Sequence, residues 1–210
     1  MGIIWQGILG GVSGRVGNVI GSSWKGIPVL KSRPLSVANP RTTQQVHFRD
    51  RLTKLVAIAS PINSSIIIPL WNRFASRMSG YNAFIQANSE AFNSSMAFVP
   101  ASFFISRGRM ASTAIINADI QTVNTECIVS YSSSITDSFQ TAYDVPFVVI
   151  TSSTGVLKGF KAGDNARSDE SELVTSIPGT SFAVGDLCFL AFRRQDGSVV
   201  SNTSFKALTA

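Results

Sequence analysis

Near residue 117 the hydrophobic period of this chain changes. Upstream, apolar residues recur at spacings of three and four: first Phe48, Leu52, Leu55, Val56 and Ala59, then Ile67, Leu70, Trp71, Phe74 and Met78. A helix gathers such positions on one face. Downstream, apolar residues come in short alternating runs bounded by turn residues, which suits half-buried strands. A chain that switches in this way builds helices first and sheets afterwards, so the expected class is α+β.

In the helical region, 46–110, Thr42 or Thr43 can cap the first helix and Pro61 is expected to stop it. A second helix is predicted over 65–78, ended by Ser79 and Gly80, and a third over 81–92 with Phe84, Ile85 and Asn88 facing inward. Three helices of this size make a small bundle, and 96–105 reads as extended. Strands are predicted at 125–131, 147–151, 156–160, 172–177, 187–193 and 199–205. Asp196-Gly197, between two of these runs, is the strongest hairpin signal in the chain. Several short strands at this spacing predict an immunoglobulin or fibronectin-III-like β-sandwich over 111–210. Domains of that kind mostly bind or space.

Residues 1–45 read as a glycine-rich arm and a basic strap. Half of the 16 glycines fall in the first 26 residues, which suits bends and short strands packed against a neighbour. The arm is expected to hold a hairpin with strands at 16–23 and 27–32, turning at Lys25-Gly26. In the strap, Pro34 and Pro40 hold the backbone out of helical space.

Charge divides the chain. Residues 1–110 carry 12 Lys and Arg against Asp50 and Glu90, whereas 111–210 carry 6 Lys and Arg against 10 acids. Such asymmetry points to two regions facing different partners: either a polyanion for the basic half, or the acidic half of a neighbouring copy. Lys31, Arg33, Arg41, Arg49, Arg51 and Lys54 are the candidate contacts for a polyanion or another subunit. Arg49, Arg51 and Lys54 are expected on the solvent side of the first helix.

No catalytic constellation emerges, so the chain is read as a non-enzyme with no cofactor and no metal. The P-loop pattern fails because Gly14-Arg15-Val16 stands where Gly-Lys-Ser/Thr is required, and Ser13 lacks the glycine spacing of a nucleophile elbow. One histidine and two distant cysteines cannot make a tetrahedral metal site. Asp164, Asp169, Glu170 and Glu172 lack calcium-loop spacing and read as loop solubilisers. His47 reads as a surface residue. Cys127 and Cys188 have a separation that would suit an inter-sheet bridge, but no tryptophan lies between them, and both read as buried and reduced. No basic segment precedes the apolar residues of the N-terminus, and no uninterrupted apolar run reaches about 18 residues. A soluble protein without a secretory signal is expected.

Three stretches carry a resemblance: GILGGVSGRVGNVIGSSWKGI at 7–27, RPLSVANPRTTQQ at 33–45 and SGYNAFIQAN at 79–88. Together they resemble a family of unknown function found in Bacteroidetes bacteria and their phages, and LAFRRQDGSVVSNTSF at 190–205 is similar to its closing hairpin. Val12 departs from the phenylalanine that often follows the double glycine. The Asn-Pro-Arg-Thr strap is also similar to small proteins encoded among phage structural genes. The resemblance implies a structural subunit of a phage virion or phage-derived assembly, assembled in the host cytoplasm. Its expected partners are other virion proteins and further copies of itself, with no membrane. Sequence-nonspecific binding of nucleic acid by the basic half is the alternative. A carbohydrate-binding module, with Tyr131, Phe139 and Tyr143 as stacking candidates, is the third reading.

Overall fold

A computed structural model of the chain describes residues 3–4, 12–24, 27–36, 39–120, 126–163, 167, 172–176 and 181–209. They fall into two compact units, Met1–Thr42 and Thr43–Ala210.

The first unit is a four-stranded antiparallel sheet in chain order, β1 (Ile3–Ile4), β2 (Val12–Val16), β3 (Val19–Trp24) and β4 (Ile27–Ser32). Between β2 and β3 the chain reverses through Gly17-Asn18, where Gly17 adopts φ +57°. A two-residue turn with glycine first suits the twist of the flanking strands. The expected β3–β4 hairpin is present, with Trp24 opposite Ile27; its turn at Lys25-Gly26 lies outside the described residues. Sequence reading missed the β2–β3 hairpin.

The second unit opens with α1 (Thr43–Ile62), and Pro61 does not stop it. The helical run widens into a π-turn over Asn63–Ile67 and continues as α2 (Ile68–Trp71). The missing donor of Pro61 is accommodated by this widening, one of the few ways a helix tolerates an interior proline. The predicted second helix also ends early, at Trp71. Asn72 Oδ1 accepts the Gly80 N–H at 2.9 Å across the reversal, and Phe74 and Met78 are exposed instead of joining the buried stripe. Ser79 and Gly80 begin the next helix rather than ending the last one. Ser79 Oγ accepts from Asn82 N at 3.2 Å and caps α3 (Gly80–Ala87).

Seven strands follow: β5 (Ile115–Ile120), β6 (Glu126–Tyr131), β7 (Val145–Thr151), β8 (Leu157–Ala162), β9 (Glu172–Ser176), β10 (Leu187–Arg193) and β11 (Ser204–Ala207). They form two antiparallel sheets, of order β5-β6-β9 and β11-β10-β7-β8. The fold is therefore mixed α+β. The Asp196-Gly197 turn forms as expected, with Gly197 at φ +70° and Arg193 bridged to Val200.

The four-stranded sheet is buried on both faces, and the alternation along β7 and β10 sorts its side chains. Phe147, Val149, Phe189 and Ala191 share one core with Ile58, Ile62, Ile66, Leu70 and Phe84 of the helices. Val148, Ile150, Cys188, Leu190 and Phe192 share a second core with Ala118, Cys127, Val129 and Tyr131 of the other sheet. Strands covered twice read as continuous apolar runs, as VPFVVIT and LCFLAFR do. Beyond β11 the chain crosses to the smaller sheet, where Thr209 N donates to Ala118 O at 2.9 Å.

The run from Thr43 to Trp71 is 29 residues long with a best-window hydropathy of 1.3, enough by length and composition alone to cross a bilayer. In this fold Ile58, Ile62, Ile66 and Ile67 in its second half are in the core.

Asn88 locks α3 to the strand-like segment behind it. Its Nδ2 donates to Phe84 O at 3.0 Å and Phe104 O at 2.9 Å, and its Oδ1 accepts from Phe104 N at 2.6 Å, all with the residue buried. Alanine here leaves a buried N–H and two carbonyls short of partners, and each such group costs about 1–3 kcal/mol. We expect Asn88→Ala to lower the urea midpoint with an unchanged m-value, and Asn88→Asp to do the same.

Candidate functional site

The first half of α1 is the part of the second unit most open to contact. Residues 43–50 are exposed throughout, and the apolar stripe predicted from the sequence is covered only from Leu55 onward. Phe48 is 58% exposed and Leu52 40%. With Leu55 and Ile85 these two line an apolar groove of about 310 Å³ between α1 and α3, edged by Arg51 and Gln86. A larger hollow of about 570 Å³ lies beside Leu70, Trp71, Phe74, Met78 and Arg107.

The six candidate cations fall on both units. Lys31, Arg33 and Arg41 are exposed in the first. In the second, Arg49 is exposed on α1, but Arg51 and Lys54 are structurally engaged. Arg51 Nη1 donates to Phe92 O at 3.2 Å, and Lys54 Nζ donates to Met96 O at 3.0 Å while lying 5.4 Å from the Phe92 ring centre. Both tie the segment after α3 onto α1. A sequence-local view places them on a solvated face; their partners lie 41 and 42 residues away.

The other chemical candidates sort by burial. Cys127 and Cys188 are buried free thiols in the inter-sheet core. Burial, aided by the charges of Asp119 and Asp186, pushes Cys127 up to about 12, and burial raises Cys188 well above the ordinary thiol value. Thiols held neutral in this way are poor nucleophiles. His47 is exposed, and no group of three or more His, Cys, Asp or Glu that could hold a metal occurs among the described residues. Asp164, Asp169 and Glu170 lie outside those residues, and only the backbone of Glu172 is described. Of the aromatic residues proposed to stack on sugars, Phe139 and Tyr143 are exposed, but Tyr131 is in the core. It packs edge-on to Phe192 at 5.1 Å and is withdrawn from that set.

One ionic group that sequence reading did not single out is the most constrained in the unit. Arg167 and Asp144 are both fully buried, with Nε 3.6 Å from Oδ2. The guanidinium lies 4.1 Å from the Phe192 ring centre, and Asp144 also accepts from Thr141 N at 2.9 Å and Thr141 Oγ1 at 2.6 Å. Burial lowers the Arg167 pKa, opposed by Asp144 and Tyr131. The pair fastens the segment around Arg167 to the start of β7. No periodicity in the sequence marks it.

A model described as a family of unknown function, DUF6266, matches residues 11–207. The chain belongs to the DUF6266 family. Among curated proteins, none matches it. The DUF6266 match begins just before β2 and ends with β11, so it takes in both units.

A titration in this DUF6266 chain follows from Asp137. Its Oδ2 accepts from Ala111 N at 3.0 Å, and its Oδ1 receives weaker bonds from Phe139 N and Ser138 Oγ. The Ala111 N–H first, and then the donors of residues 138 and 139, hold its pKa below the ordinary carboxylate value. A depressed carboxylate contributes stability that is complete above its unfolded pKa and lost as pH falls through its folded one. Asp137→Asn should therefore flatten the acid limb of stability against pH while leaving the neutral limb parallel to wild type. An unchanged acid limb in chemical denaturation would count against this role.

Proposed function

We propose that the chain is a non-enzymatic structural subunit of a phage virion or phage-derived assembly, in which the arm and strap of residues 1–45 contact neighbouring subunits. The observation that carries this reading is the state of the first unit. Its sheet has no core of its own, since Val16, Val19, Leu30 and Leu35 are all exposed. A sheet must bury one face to be stable, and an isolated small sheet is marginal in water. A neighbouring subunit supplies the missing layer. The resemblance of the glycine-rich opening and the Asn-Pro-Arg-Thr strap to proteins of Bacteroidetes and their phages supplies the setting.

The strands of the second unit support an immunoglobulin or fibronectin-III-like sandwich. Lettered A to G in chain order, they run A-B-E in one sheet and G-F-C-D in the other. This differs from the immunoglobulin constant order only in that the fourth strand pairs with C instead of E. Modules of this kind serve as spacers and binding platforms, with the helices here covering one face.

Lysine-directed cross-linking of intact, nuclease-treated particles tests the reading. Links from Lys31 to another virion polypeptide or to a second copy are expected. A chain present in particles but linked only within itself would sink the arm's role. The basic arm keeps nucleic acid as the second reading, since Lys31, Arg33 and Arg41 are exposed there. That reading requires DNA retention that falls steeply with salt and weakens on alanine substitution at Arg33, Arg41 and Arg49.

A further inference from the structure

The register of the first unit divides its sheet into two chemically distinct faces. Directly paired residues in an antiparallel sheet project to the same side, and neighbours along a strand project to opposite sides. Gly14, Gly21 and Leu30 form one cross-strand row, and Val16, Val19 and Ser32 form the row two residues along, on the same face. Arg15, Ile20 and Lys31 form the row between them, on the other face. One side is thus apolar and uncharged at its described positions, with Val16 54%, Val19 42% and Leu30 64% exposed. The opposite side carries the cations. The glycine pair leaves the middle of the apolar face without side chains, so another backbone can approach closely.

We propose that this apolar face is a self-association surface, which stacks on the same face of a second copy of the chain. This deepens the structural-subunit reading and rests on its premise that the arm is completed by a neighbour.

Charge favours a second copy. An acidic partner would seek Arg15 and Lys31 on the far side, whereas two apolar faces can meet without bringing like charges together. Stacked sheets lie about 10 Å apart, which puts the two outward cationic layers further apart than the Debye length of about 8 Å at physiological salt. Such a two-fold contact is self-complementary by construction. Its size sets its strength. Four strands about 4.8 Å apart and about five residues long give a face of roughly 320 Å², so the pair buries about 650 Å². Stable interfaces bury about 1,200 Å² or more, so the contact is a reversible dimer in solution and gains its strength from multiplicity in an assembly.

Sedimentation of the full-length chain from about 1 µM to about 500 µM tests this. A concentration-dependent monomer–dimer equilibrium is expected. Val19→Lys and Leu30→Lys should each move its midpoint at least tenfold upward, whereas Arg15→Ala on the opposite face should leave it in place or lower it. Because a lysine could also unfold the sheet, a second measurement uses spin labels at Asn18→Cys in the β2–β3 turn. Inter-copy dipolar coupling should appear in the dimer and vanish on dilution. A chain that stays monomeric at the highest concentration, a dimer indifferent to Val19→Lys and Leu30→Lys, or labels that never couple would each overturn the proposal. A monomer found in particles overturns the pairing and leaves the structural-subunit reading standing. A dimer absent from particles does the reverse.

Discussion

Asp144→Ala is expected to cost the second unit about 3–5 kcal/mol, the range for removing one partner of a buried ion pair. The reason is what remains. Arg167 would keep a fully buried guanidinium against Phe192, and its Nε, Nη1 and Nη2 already have no hydrogen-bond acceptor among the described residues. Asp144 supplies the only opposite charge recorded within salt-bridge distance among those residues. Arg167→Met should cost less, because Asp144 keeps its two bonds from Thr141. The double variant Asp144→Leu, Arg167→Met should recover most of the loss, since apolar replacement of a buried pair is often neutral or stabilising. Urea titration of all four proteins closes the cycle. A double variant no better than Asp144→Ala would mean that the pair holds the fold in some way other than charge compensation.

Phe189→Ala is the second large effect, at about 3–5 kcal/mol, as for other buried phenylalanines. Phe189 is fully buried on β10 and sits where the layers meet. It packs edge-on to Phe103 at 4.9 Å and Phe98 at 6.2 Å, and is tilted against Phe205 at 5.8 Å. Removing it opens a cavity between the helices and the four-stranded sheet and strips three aromatic contacts at once. Phe205→Ala provides the control, because Phe205 touches the same ring but is half exposed. A thermal midpoint that falls much further for Phe189→Ala than for Phe205→Ala is the expected result. Equal shifts would contradict the placement of the shared core.

What could be read from the chain, and what could not, follows the range of the forces involved. The bounds of β10 and the Asp196-Gly197 turn were legible because local alternation and turn chemistry specify them. β5 was not. A bulge between Ile115 and Asn117 breaks its period at the point where alternation would have begun. Pro61 misled because its helix-breaking tendency is answered by a π-turn that residue type does not announce. Phe74 and Met78 kept a helical period past a reversal set by the Asn72–Gly80 contact. The candidate site divides in the same way. Exposure of Lys31, Arg33, Arg41 and Arg49 follows from local composition, whereas Arg51 and Lys54 bond carbonyls far along the chain. The Arg167–Asp144 pair is likewise a long-range event, and the two faces of the arm sheet emerge only from its register.

Quantitative mass spectrometry of nuclease-treated particles from cells that encode this chain tests the proposed role most directly. A structural subunit should appear in a fixed ratio to the major shell protein, unchanged by further purification and by raised salt. A chain absent from intact particles, or one whose amount falls with nuclease treatment, would contradict that role.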